Sequence, residues 1–217
     1  ESGKLSYGMV RKGIFEQSDL QELEYIKDKM TDWYAKEKFV MFDHIRDFSN
    51  TAGEIRKFKP DVVFDDYLQL IQPHGIFDQR RLQLEQLVND YKWVAKENRC
   101  AVVLASQLNR AIETRADPIP QLSDLAESGA IEQVAENVFF VYYPHKVKPD
   151  KAQDNIIEVR AAKVRYGETG RCELGFDGDR AKMYGTLEDL VDEKRSKKKT
   201  KKARAVKEEV DDLNLPF

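Results

Sequence analysis

Apolar positions along the chain recur with two periods. Leu20, Leu23, Ile26, Met30 and Trp33 follow helical spacing, and Ser18-Asp19-Leu20-Gln21 reads as a capping box that opens that helix. Phe39–Phe42 reads as a strand, and Thr51-Ala52-Gly53-Glu54 as a second capping box before a short helix that stops ahead of Pro60. Val62-Val63-Phe64 is a short apolar run that ends in Asp65-Asp66, and an apolar–polar alternation continues through Tyr67-Leu68-Gln69-Leu70. After a Pro-His-Gly break at 73–75, Leu84, Leu87, Val88, Tyr91 and Val94 share one face of a helix expected over about 78–98. Ala101–Ala105 and Val138–Tyr143 read as further buried strands.

Between those strands, residues 111–122 show no period and contain two prolines, which suggests a mobile loop, while Ser123–Ala135 reads as a turn and short helix. Ile156–Val164 and Arg171–Phe176 flank Tyr166-Gly167-Glu168-Thr169-Gly170, a hairpin by its turn chemistry. Strands alternating with helices and then an antiparallel finish predict an α/β fold: a mostly parallel sheet flanked by helices, with an antiparallel edge hairpin. The pattern decays after Tyr184. Leu187–Val191 has room for a last helical turn, and the expected division is a folded region over 1–185 followed by a flexible tail over 186–217, basic and then acidic.

Charge changes this picture in one respect. The 217 residues carry a formal net charge of −3, but nine lysines and arginines and no acid lie between Lys194 and Lys207. Without them 27 basic residues face 39 acidic ones, so the rest carries −12. Nucleic acid would therefore be gripped locally, through loops, and not by a broadly basic face. Cys100 and Cys172 stand at no metal-ligand spacing, no run is long enough for a membrane span, and no secretory signal opens the chain, so a reduced cytoplasmic protein is expected.

Three segments carry candidate chemistry. A strand-end aspartate at the lip of a parallel sheet can hold metal-bound phosphate, which makes Asp66 the candidate Mg²⁺ carboxylate, although such residues also cap turns. Gln107 follows the next strand, where its amide can sense a γ-phosphate or simply cap a turn. Lys163 and Arg165, two residues apart, place two cations on one face of a strand end, suited to a phosphoryl group or merely solvated. Gly3-Lys4 is not a phosphate loop, because Leu5 stands where a hydroxyl is needed and G-x-x-x-x-G-K-[ST] occurs nowhere in the chain.

Taken together, Val62–Leu70, Ser106-Gln107-Leu108-Asn109-Arg110, the 123–133 block SDLAESGAIEQ and Lys163–Gly170 resemble, in order and spacing, the ATPase domain of DnaB-type replicative helicases. The likeness covers about residues 1–185. It implies a RecA-like fold, a homohexamer of phage or bacterial origin, ATP and Mg²⁺ as cofactors, and 5′-to-3′ translocation on single-stranded DNA. By that resemblance Asp66 is the Walker B aspartate and Gln107 the sensor, and Lys163 and Arg165 reach the ATP of an adjacent subunit. Asn109, Arg110, Glu127, Ser128 and Gly129 fall on DNA-facing segments, with Ala126 in place of a usual arginine. The family's phosphate loop and catalytic glutamate have no counterpart within residues 1–217, so the chain by itself is expected not to hydrolyse ATP. A recombinase or regulatory ATPase on the same fold, or a non-catalytic replication module, are the alternatives. The tail tip, Glu208–Phe217, resembles acidic, aromatic-ended segments that recruit a primase, helicase loader or polymerase, or it is a solvated end.

Overall fold

The computed structural model describes residues 5–75, 77–125, 129–150 and 152–196. The described residues divide into two compact units, one within 39–142 and 160–171, the other within 5–38, 143–159 and 172–196.

The first unit is organised on helix α4, Arg80–Asn98. Its face of Leu84, Leu87, Val88, Tyr91 and Val94 is buried throughout, as the spacing predicts. Helix α3, Phe48–Phe58, adds Phe48, Ala52 and Ile55, and the Phe48 and Tyr91 rings meet edge to face at 4.9 Å. Strands β1, Val62–Asp65, and β2, Ala101–Leu104, pair in parallel with Asp65 opposite Leu104. Their inner residues Val63, Val102 and Leu104 pack on the same core. A 3₁₀ turn, Leu68–Leu70, follows β1, with Leu68 fully buried. Helix α5, Gly129–Val134, and strand β3, Asn137–Tyr142, complete this unit's main elements.

The other unit begins with helices α1, Tyr7–Lys12, and α2, Gln17–Ala35. It also holds a short helix α6, Pro144–Val147, and strand β6, Lys182–Tyr184, which runs antiparallel to β5, Gly170–Asp177, with Phe176 opposite Met183. Strand β4 is Ile156–Val164. Residues 187–196 form a helix, α7, and Leu190 in it is fully buried. Gly175 permits that packing, because a Cβ there would lie 2.5 Å from the Thr186 carbonyl oxygen and 3.0 Å from Leu190. Ser6 Oγ donates to Asp179 at 2.8 Å, and Lys182 pairs with Glu193 at 2.7 Å.

Parallel and antiparallel pairings are both present, so the α/β expectation with an antiparallel edge holds. Several local expectations do not. Helix α2 starts two residues earlier, with Glu16 and not Ser18 at its N-cap, and Asp19 accepts from Glu16 N at 2.9 Å to close the capping box. None of its residues is buried, and Leu20, Met30 and Trp33 are exposed. Asp47, not Thr51, caps α3, accepting from Asn50 N at 2.9 Å, and Thr51 lies inside the helix. Phe39–Phe42 forms no strand, having no ladder partner among the described residues. The 111–122 stretch is not structureless, because 3₁₀ turns at Arg110–Thr114 and Leu122–Asp124 order its ends. Finally, β1, β2 and β3 are covered on one face only. Val62, Phe64, Val103, Phe139 and Val141 are exposed, because alternate strand residues point away from the helix-covered side.

Candidate functional site

Strand β1 delivers two adjacent carboxylates to the end of the parallel pair, and their surroundings differ. The Tyr91 hydroxyl, carried by α4, donates to Asp65 Oδ2. Burial pushes the Tyr91 phenol well above its ordinary value, and the hydrogen bond and charge of Asp65 push it the same way. Asp65 is thereby tied to the core, whereas Asp66 is exposed. The Asp66–Tyr67 peptide is cis.

The loops after the two strands are stitched together by Gln69. Its Nε2 donates to Ser106 Oγ at 3.0 Å, and its Oε1 accepts from Gln107 N at 3.2 Å. Arg80, the first residue of α4, donates to the Gln69 carbonyl at 2.5 Å and to Gln83 Oε1 at 2.8 Å, which fixes the turn from behind. The ladder itself continues past the strands: Ala105 N donates to Asp65 O and Leu68 N to Ala105 O, both at 2.9 Å. Asp66 and Gln107 therefore emerge at the same end of the parallel pair, as their positions after β1 and β2 predict.

A third segment joins this end. Leu108 bridges Leu125, and Asn109 N donates to Asp124 O at 2.7 Å. Asp124 is only 5% exposed; its carboxylate accepts from Arg115 and, at 2.8 Å, from Gln121 N, so it anchors the segment. Asn109 Oδ1 accepts from Ala111 N at 2.9 Å, capping the 3₁₀ turn that begins at Arg110. Arg110 is exposed, and Gly129 is the exposed first residue of α5. Glu127, Ser128 and the neighbouring Ala126 lie outside the described residues.

Lys163 and Arg165 gather on α5. Lys163 Nζ donates to the carbonyls of Glu132 at 2.5 Å and Gln133 at 3.1 Å. Arg165, in the turn beyond β4, places Nη1 at 2.8 and 2.7 Å from the two carboxylate oxygens of Glu136. Lys92 of α4 shares that carboxylate at 2.7 Å and donates to Val134 O at 2.9 Å. Hydrogen bonds from Lys92 and then Arg165 hold the Glu136 carboxyl down to about 2. Glu136 also keeps the Arg165 guanidinium above its ordinary value. Both cations meet the 132–136 segment, although Arg165 stands beyond the end of β4 and not on the strand as its spacing predicts.

The family model described as DnaB-like helicase C terminal domain matches residues 1–184. The chain belongs to the DnaB-like helicase C-terminal domain family. It is 38% identical over 117 residues to the replicative DNA helicase DnaB of Pasteurella multocida, covering 54% of this chain and 25% of that protein. It is 39% identical over 133 residues to the replicative DNA helicase DnaC of Bacillus subtilis, covering 59% of this chain and 29% of that protein. The chain thus spans between a quarter and a third of these relatives' length. Among solved structures, a DnaB-like replicative helicase studied with primase superposes with a TM-score of 0.75 at 28% identity, covering 84% of this chain and 45% of that one. A second solved structure, of an ATPase domain, superposes equally well, at 28% identity, TM-score 0.75 and coverage of 84% and 66%. The fold is that of the RecA-like DnaB ATPase domain.

Reading the sequence picked out Asp66, Gln107, Lys163 and Arg165 but missed Gln69, Arg80, Tyr91, Lys92 and Glu136, which hold them or their neighbours. Gln69 lies inside the Asp66–Leu70 block, a signal that was available; the others stand on helices or turns with nothing local to mark them. Among the described residues no cluster of three or more His, Cys, Asp or Glu side chains is arranged to hold a metal, and no helix is long and apolar enough to cross a membrane.

Proposed function

We propose that this chain is part of the motor domain of a hexameric replicative helicase that couples ATP hydrolysis at subunit interfaces to 5′-to-3′ movement along single-stranded DNA. The observation that supports this reading is the Gln69 bridge, which ties the turn after Asp66 to Ser106 and to the Gln107 backbone N–H beyond the ends of a parallel strand pair. Ligands of open α/β sheets lie beyond the carboxyl ends of such strands.

Asp66 suits a Mg²⁺ ion. That ion takes one or two carboxylates and otherwise keeps waters and substrate phosphates, so a lone exposed aspartate fits where a cage of acids would not. When bound with ATP, the metal supplies charge neutralisation across the phosphates. Asp66 would hold and orient it. Gln107 is the γ-phosphate sensor: any pull on its backbone is felt by Gln69 and so by the turn behind Asp66. Lys163 and Arg165 serve a nucleotide on the neighbouring subunit. Asn109, Arg110 and the 127–129 residues meet DNA phosphates, a contact that positions without reading sequence. The motor part runs through helix α7, whose buried Leu190 moves the expected boundary at 185 to beyond residue 196, and the segment 197–217 recruits a primase, loader or polymerase.

The 217 residues hold no phosphate loop, so the purified chain alone is expected to show no ATP turnover above a blank. The function is tested with hexamers of subunits in which these residues follow a phosphate-loop segment, given a forked duplex with a 5′ single-stranded arm. ATP-dependent strand separation is the expected result. Turnover stimulated by DNA with no separation of any fork would instead indicate a recombinase or regulatory ATPase.

A further inference from the structure

Three cations converge on the C-terminal end of α5, and they are held in two different ways. Lys163 is bound by the neutral carbonyls of Glu132 and Gln133, which leave its charge uncompensated. Arg165 is bound through Nη1 by both oxygens of the Glu136 carboxylate at 2.8 and 2.7 Å, an opposite charge that it shares with Lys92. The Arg165 backbone is fixed to the same residue, its N–H donating to Glu136 O at 3.0 Å. Lys92 braces the carboxylate from α4 at 2.7 Å, so Glu136 is not free to swing out with the arginine.

A guanidinium held this way is drawn toward Glu136, and reaching a neighbour's phosphate competes with that pull. The pair can be parted, because Arg165 and Glu136 are 50% and 41% exposed and such ion pairs are weak in water. A triphosphate carries more charge than one carboxylate and competes for the same N–H groups.

We propose that Glu136 is a positioning residue that holds Arg165 in a withdrawn state, so that nucleotide turnover in the absence of DNA is limited by release of this pair. The proposal rests on the reading of Arg165 as a cation that serves a neighbour's nucleotide. Glu136 itself touches no substrate. Its effect runs through the guanidinium it retains, and Lys163, held only by carbonyls, is outside that control.

The test uses hexamers of subunits carrying these residues behind a phosphate loop, assayed for ATP turnover with and without saturating single-stranded DNA. Glu136→Gln keeps the shape but removes the charge. It is expected to raise kcat without DNA by about twofold to fivefold, the range an exposed ion pair supports, with KM unchanged and the DNA-saturated kcat within about twofold. A kcat unchanged in both conditions, or lowered in both, overturns the proposal. Glu136→Asp, which keeps the charge, is expected to restore most of the low DNA-free rate. Arg165→Ala, run in parallel, checks the underlying reading: turnover lost with and without DNA supports it. If turnover survives Arg165→Ala, it is the role of Arg165 that fails, whatever Glu136→Gln does.

Discussion

At the scale of single residues, Tyr91 takes Asp65 while the next residue, Asp66, stays exposed. Tyr91→Phe keeps the ring against Phe48 but removes the hydroxyl that donates to Asp65 Oδ2, and is expected to cost about 1–3 kcal/mol in urea unfolding near neutral pH. The same pair sets an alkaline limit. An unfolded tyrosine ionises near about 10, and the native one resists ionisation, so above that pH the native state binds more protons. Tyr91's contribution is complete below about 10 and declines as pH rises further, a slope that unfolding midpoints should show and Tyr91→Phe should flatten. Glu136 works in the opposite sense. Its carboxyl, held down to about 2 from an ordinary 4.5, gives a contribution that is present above the ordinary value and lost as pH falls toward the lower one. Carboxyl NMR titration should find that low value in the wild type and a shift upward in Lys92→Met. Asp66 and Gln107 could be read from the sequence because each ends an apolar strand. Tyr91 and Glu136 could not, because their partners are 26 and 29 residues away and only folding reveals the pairing.

Whole elements show where the pattern of apolar residues is sufficient. The α4 stripe was legible because all five of its residues are covered by one core. The α2 stripe, similar on paper, remains open, since periodicity marks an amphipathic face without naming what covers it. Capping boxes were misplaced by a few positions, because several acceptors near each helix start compete for the same N–H groups. Two glycines separate packing from propensity. Gly175→Ala drives a methyl into the Thr186 carbonyl and is expected to lower stability by about 1–3 kcal/mol. Gly53→Ala, exposed inside α3 with nothing within 4 Å of the new carbon, should raise it by about 0.5–1 kcal/mol. Thermal unfolding of the two variants should move in opposite directions.

For the whole molecule, the family was legible from four sequence blocks, and the match over residues 1–184 bears this out. The same blocks supply the loops beyond β1 and β2, the anchored 123–125 segment and the cations beside α5, so the candidate site's parts are legible in the chain while their contacts are not. What the chain could not display was how unequal its two neighbouring acids are. The most direct test substitutes each by its amide in hexamers that carry a phosphate loop, and follows Mg²⁺-dependent ATP turnover with DNA present. Asp66→Asn is expected to lower kcat by about 100-fold or more, as loss of a metal carboxylate should, while DNA binding persists. Asp65→Asn is expected to stay within about fivefold and to show its cost in stability. If Asp65→Asn abolished turnover and Asp66→Asn did not, the assignment of the strand-end site would be wrong.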